Sequence, residues 1–297
     1  MLTNSITNDL KHHFRYGNMV MKLIFVNGGV FVFFGLLYLL SFLIQNNSAY
    51  QLLLIKLEMP ASVNTLLHQP WSLFSYMFLH IGLFHFVFNM LWLYWFGEIF
   101  VMYLGDKKVL PLYLLGGIAG ATVYVLAYNL LPAFKPVVNV SLMLGASASI
   151  FAIVFAAATL APDYEIKLAI LGVIRIKYVA LFSLLLDIIN IPYGNAGGYI
   201  AHIGGALCGF LYIKSLQGGF DWSSPFNKIF DSTASLVKPK SNVRVAYKNT
   251  DYKKTTISKI GKSEQARVDE ILDKIARSGY DSLTKEEKDF LFNYSKK

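Results

Sequence analysis

Six apolar runs, each long enough or nearly long enough to cross a lipid bilayer, constrain this chain more than any other feature. A bilayer core takes about 20 apolar residues as a helix. Inside it the backbone must satisfy its own hydrogen bonds, which leaves helices or a closed barrel. The runs are Leu23–Ile44, Leu83–Leu104, Val109–Leu131, Ala146–Leu160, Val179–Ile191 and Gly198–Ile213. Together they predict an all-α polytopic membrane protein, a bundle of six transmembrane helices. The fourth and fifth fall short of an ideal span, so they are expected to be shielded by neighbours or to start below the surface. The apolar stretch Ile166–Ile176 is broken by Lys167 and Arg175 and reads as an interfacial segment leading into the fifth span.

Charge is distributed accordingly. Only 15% of the 297 residues are charged, against about 25% in soluble domains. The deficit lies before Leu216; from Gln217 the chain turns polar and basic. Four regions follow: a cytoplasmic N-terminal segment (1–22), the membrane domain (23–216), a flexible linker (217–261) and a cytoplasmic helical hairpin (262–297). In the hairpin, Val268, Ile271, Leu272 and Ile275 recur at helical spacing. Gly279 is a C-terminal stop, and Thr284 with Glu287 forms a capping box for a last helix carrying Phe290, Leu291 and Tyr294. Such a small hairpin is expected to dock on a partner, a second copy or the membrane surface.

The net charge of +9 is assigned to cytoplasmic lysines and arginines rather than to nucleic-acid binding, for which no motif is present. With the N-terminus inside, the inner segments hold Lys11, Arg15, Lys22, Lys107, Lys108, Lys167, Arg175, Lys177 and Lys214, while the outer loops hold only Lys56 and Lys135. Both termini are therefore expected in the cytoplasm. Leu23–Ile44 exceeds the about 7–15 residues of a signal-peptide core and no transit peptide precedes it, so a bacterial inner (plasma) membrane is expected. The outer loop Gln45–Ser72, with Tyr50 and Trp71, is expected to lie in the interface. The one cysteine, Cys208, falls in an apolar run and reads as a packing residue.

Polar residues inside a span are costly, so each needs a reason. In this orientation His80, His85 and Asn89, Ser147, and His202 all fall in the outer part of the bilayer. His85 and Asn89 are spaced i, i+4 and share a helix face. Span four repeats small residues at Ala148, Ala152 and Ala156, and span six at Ala201, Gly205 and Gly209. Such ladders let two helix backbones approach closely, which brings a short serine within reach of an imidazole. Ser147 then reads as a nucleophile and His202 as its general base. The Ser147 backbone N–H and the side chains of His85 and Asn89 are candidate donors to the oxyanion. No carboxylate is clearly placed to orient His202, which favours a dyad over a triad. Asp187, in the outer half of the fifth span, reads as an interfacial polar residue, and Asn195 and Tyr199 lie on the loop into the sixth. No His-Glu-x-x-His motif or i, i+4 histidine pair is present, so neither a metal nor another cofactor is expected.

Three motifs in order carry a resemblance to a known family. They are Pro70-Trp71 followed by His80-x4-His85-x3-Asn89, then Gly145-Ala146-Ser147-Ala148, then Ala201-His202-x2-Gly205-x3-Gly209. This pattern resembles the rhomboid intramembrane serine proteases over about residues 71–210. The resemblance implies a six-helix membrane endopeptidase with Ser147 as nucleophile, His202 as base, and His85 and Asn89 supporting the oxyanion. His80, Gly145 and Phe151 are supporting candidates. It also implies transmembrane protein substrates, cut near the outer end of a helix after a small residue, and gating by the fifth span. The chain departs from the family pattern at Ala148 (usually Gly), Phe151 (often Tyr), Ser72 (usually Arg) and Val101 (often Glu, with Glu98 one turn earlier). The alternatives are an inactive rhomboid relative that binds membrane clients, which typically lacks the serine or the histidine, and a small-solute transporter, against which no inverted repeats are seen.

Overall fold

The computed structural model describes residues 17–168, 172–226 and 262–294. The chain divides into two units, Met1–Val237 and Lys238–Lys297. Segment 1–16 and most of the expected linker, from residue 227 on, lie outside the described residues.

Among the described residues the first unit contains nine helices of four residues or more: α1 Met19–Leu43, α2 Ser48–Leu57, α3 Val63–His68, α4 Ser72–Ser75, α5 Leu83–Leu104, α6 Val109–Leu130, α7 Ser147–Leu160, α8 Ile176–Asn190 and α9 Ala196–Gln217. Among the described residues, five helices are long and apolar enough to cross a membrane: α1, α5, α6, α8 and α9. The sixth expected span, α7, is an apolar helix of 14 residues, about 21 Å long at the usual helical rise. Its neighbours explain how so short a helix persists. It packs against α5, α6 and α9, and ten of its residues are buried, so protein rather than lipid surrounds it.

Alanine and glycine set the distance between α7 and α9. A Cβ added at Gly205 would run into the carbonyl oxygen of Ala148, and one at Gly209 into that of Ala152. The two small-residue ladders therefore meet backbone to backbone, at a separation no larger side chain permits. α6 joins the same contact. A Cβ at Gly204 would lie 2.6 Å from the Ala119 carbonyl oxygen, and one at Gly120 would lie 2.6 Å from the Ala148 methyl and 2.8 Å from the Ala201 carbonyl oxygen.

Among the described residues two short β pairings supplement the helices. Met59–Pro60 (β1) pairs antiparallel with Leu142–Met143 (β2), Met59 opposite Met143. Ala61 N–H adds a bond to the Ser141 carbonyl at 3.0 Å, and Gly145 N–H donates to the Tyr76 carbonyl at 2.9 Å. The loop leading into α7 is thereby pinned along its length. The segment expected to be interfacial, Ile166–Ile176, forms a hairpin: Glu165–Leu168 (β3) pairs with Gly172–Arg175 (β4), Ile166 opposite Ile174, with residues 169–171 outside the described residues. The alternation Glu165-Ile166-Lys167-Leu168 has the period of a strand, and Gly172 takes a positive φ of 74°. The outer loop expected at the interface folds into α2 and α3, with Trp71 Nε1 donating to the Lys56 carbonyl at 2.7 Å.

At the opposite end, Asn18 caps α1 by accepting from Met21 N–H and donates to Glu98 Oε1 at 2.7 Å, while Asp106 accepts from Met19 N–H. Glu98, one turn from Val101, thus ties α5 to the start of α1. Lys108 and Asp221 form an ion pair that fixes the exit of α9 to the start of α6.

The second unit is a helical hairpin, α10 Lys262–Ser278 and α11 Lys285–Tyr294. α10 stops at Gly279, whose φ is 77° and whose N–H donates to the Ile275 carbonyl at 2.8 Å. The capping box is formed: Thr284 N–H donates to Glu287 Oε2 at 2.7 Å and Glu287 N–H to Thr284 Oγ1 at 3.3 Å. Lys274 reaches Glu287 at 2.9 Å. Val268 and Ile271 are buried, whereas Leu272 is exposed.

The glycine contacts generate a direct test. Gly205→Val forces α7 and α9 apart and is expected to destabilise the fold by about 3 kcal/mol or more, the upper end for overpacking. Gly29→Ala, where a new Cβ meets nothing within 4 Å, is expected to leave stability unchanged or slightly raised. Thermal unfolding in detergent, followed by circular dichroism, distinguishes the two.

Candidate active site

The loop before α7 positions Ser147. Gly145 has a φ of 125°, a conformation that L side chains rarely adopt. A Cβ there would also sit 3.1 Å from His85 Cε1 and 3.2 Å from Nε2. Glycine thus lets the chain turn into the helix directly beneath the His85 ring. Ala146 is the N-cap and makes no side-chain capping bond, so Ser147 is the first helical residue and does not itself cap. Its backbone N–H is among those left without an intrahelical partner at a helix start.

Ser147, His202, His85 and Asn89 line one cavity of about 470 Å³. Phe88, Trp92, Phe151, Asn195 and Gly198 are also among its lining residues. Asn89 spends one amide N–H on the His85 carbonyl at 2.8 Å. A carboxamide has two such donors, so the second stays available to the cavity. His80 is buried, with its ring 5.3 Å from that of His85. Among the described residues neither of its ring nitrogens has a hydrogen-bond partner, and it does not line the cavity. Tyr199 approaches His202 edge-on, with ring centroids 6.3 Å apart.

Two contacts fix the His202 ring. Phe151 stacks on it, with centroids 4.3 Å apart and planes 13° apart, and Trp92 lies nearly parallel to Phe151, with centroids 6.1 Å apart. This contact needs no tyrosine hydroxyl. The second contact is Asp187: its Oδ2 lies 2.8 Å from His202 Nδ1. Both side chains are largely buried, at 14% and 12% exposure. Here the structure departs from the sequence expectation. Asp187, read as an interfacial polar residue, is largely buried, and its carboxylate stands beside His202. α8 and α9 are joined by a tight turn through Gly194 and the left-handed Asn195, with φ 50°, which folds the end of α8 back onto the first turns of α9. Among the described residues Ser147 Oγ makes no hydrogen bond, to His202 or to any other group. Such bonds are often long before substrate binds.

Sequence reasoning also missed Glu58. It lines the cavity, is 8% exposed, and its carboxyl is pushed above the usual 4.5 by burial. The two-residue pairing of β1 with β2 brings it there across more than eighty positions, and no local signal marks it. Among the described residues no group of three His, Cys, Asp or Glu side chains is placed to hold a metal ion.

A helical bundle with apolar spans, and a serine, two histidines and an asparagine around one open cavity, defines an integral membrane protein with polar side chains gathered at one site. Residues 67–217, about half of the chain, match the Rhomboid domain family model, and the chain belongs to the rhomboid family. Residues 259–297 match a second model, a family of unknown function (DUF6576). The chain is 28% identical over 200 residues to RHOMBOID-like protein 12, mitochondrial, of Arabidopsis thaliana. That match covers 64% of this chain and 55% of the relative, so the chain spans about half the relative's length.

The position of Glu58 makes a pH-dependent prediction. A carboxyl whose pKa is raised by folding stabilises the fold only below its unfolded value, and this contribution is lost as pH rises through the folded pKa. Glu58→Gln is therefore expected to unfold at a higher temperature than the unsubstituted protein at pH 8. The gap should close as pH falls below 4.5, as thermal melts across that range would record.

Proposed function

We propose that this protein is an intramembrane serine endopeptidase that cuts transmembrane protein substrates near the outer end of their helices. One observation carries the reading: Ser147, His202, His85 and Asn89 line a single cavity. His202 takes the proton from Ser147 Oγ as the oxygen attacks the scissile carbonyl. The Ser147 N–H, the free amide N–H of Asn89 and the His85 ring supply hydrogen bonds to the oxyanion. When the tetrahedral intermediate collapses, the protonated His202 returns the proton to the leaving amine, and water later releases the acyl group by the same route. No cofactor takes part.

A stable helix hides its peptide bonds in hydrogen bonds. The substrate segment must therefore unwind, which Gly, Pro or polar residues near the cut favour. The lysine and arginine distribution supports an orientation with both termini in the cytoplasm and the cavity toward the outer leaflet. The C-terminal hairpin is then a cytoplasmic docking element for a partner or a second copy.

Cleavage of a reporter transmembrane substrate in liposomes tests the proposal. Ser147→Ala is expected to lower the rate at least about 1,000-fold while the protein stays folded. Equal cleavage by both forms would remove Ser147 from the reaction. Cleavage by neither form, across several reporters with labile helices, would favour a rhomboid relative that binds membrane clients without cutting them.

A further inference from the structure

The Asp187–His202 contact sits where a third member of a catalytic group would stand. A neutral imidazole carries one proton, and the hydrogen bond made by one nitrogen decides which. A carboxylate only accepts, so Asp187 Oδ2 at 2.8 Å from Nδ1 requires the proton on Nδ1. That leaves the Nε2 lone pair free to receive the Ser147 proton. The two contacts on the ring are complementary: Phe151 fixes its plane, and Asp187 fixes its rotation within that plane. Once His202 is protonated, the same carboxylate faces the new positive charge from a largely dry position, where it counts for more than in water.

The surroundings of Asp187 argue against a purely packing role. The buried residues of α8 are Ile176 and Ala180, both in its first two turns. Farther along, Leu185, Leu186, Ile188 and Ile189 are exposed. The other side-chain bonds in this stretch, from Ser183 to the Ala180 carbonyl and from Asn190 to the Leu186 carbonyl, stay within the helix. A carboxylate in such a helix is costly, and its partner here is His202.

We infer that Asp187 is a positioning residue that holds His202 in the tautomer needed to deprotonate Ser147, so that the site works as a Ser147–His202–Asp187 triad. The inference rests on the proteolytic reading above. It is tested on the full-length protein in liposomes with the reporter substrate, comparing Asp187→Asn and Asp187→Glu with the unsubstituted form. Asp187→Asn is expected to lower kcat at least about tenfold with KM within about twofold, and Asp187→Glu to recover part of the loss. An unchanged kcat, or a rise in KM alone, would reduce Asp187 to an anchor for α8 and overturn the inference.

A second measurement does not need turnover. Nitrogen-15 histidine spectra at pH 8, with His202 assigned by loss of its signals in His202→Gln, report the tautomer directly. A protonated Nδ1 and bare Nε2 in the unsubstituted protein, shifting toward protonated Nε2 in Asp187→Asn, support the inference. A His202 protonated on Nε2 in the unsubstituted protein overturns it. If no form cleaves, the proteolytic reading fails while the spectra still decide the role of Asp187.

Discussion

Everything at the site depends on how closely two backbones approach. Gly205 and Gly209 of α9 face the Ala148 and Ala152 carbonyls of α7 with no room for a methyl group between them. A serine side chain is short, and the imidazole of His202 reaches only a few ångströms from its own helix. Only a near-contact of the two helices brings both to the same cavity. In lipid, where apolar side chains gain little by leaving one tail environment for another, van der Waals contact between small residues is a main source of helix association. One set of residues therefore both holds the bundle together and fixes the spacing of Ser147 and His202.

The remaining site residues are attached to that axis by separate devices. His85 and Asn89 come from α5, and Gly145 brings the loop under the His85 ring. The β1–β2 pairing and the Gly145–Tyr76 bond hold this loop in place. Phe151, from α7 itself, reaches across to stack on His202. α8 alone contributes through a polar side chain on a helix with little buried surface.

Much of this was legible in the sequence, for a physical reason. Apolar length reports spans, and the Ala148–Ala156 and Ala201–Gly209 periodicities report a close helix contact, because both are local properties of a helix face. What went unread falls where the information is not local. Ile166–Ile176 read as an interfacial segment because its charges interrupt an apolar run; that the same alternation pairs it as a hairpin depends on residues further along the chain. Asp187 read as an interfacial polar residue because α8 is apolar over most of its length, so periodicity does not say which way this one residue points. Its neighbour depends on the turn at Gly194 and Asn195. Glu58 enters the cavity through a two-residue pairing between distant loops, too short to leave a pattern.

Gly120 and Ala148 share one small volume. The methyl of Ala148 occupies the space that a side chain at position 120 would need. The bulk of the residue that follows Ser147 is thus set against the residue at position 120 on the facing helix. The room required beside the serine is kept, but the residue that keeps it lies on α6. The amino acid immediately following the serine is therefore a poor guide, taken alone, to whether such a site is intact; the informative unit is the pair.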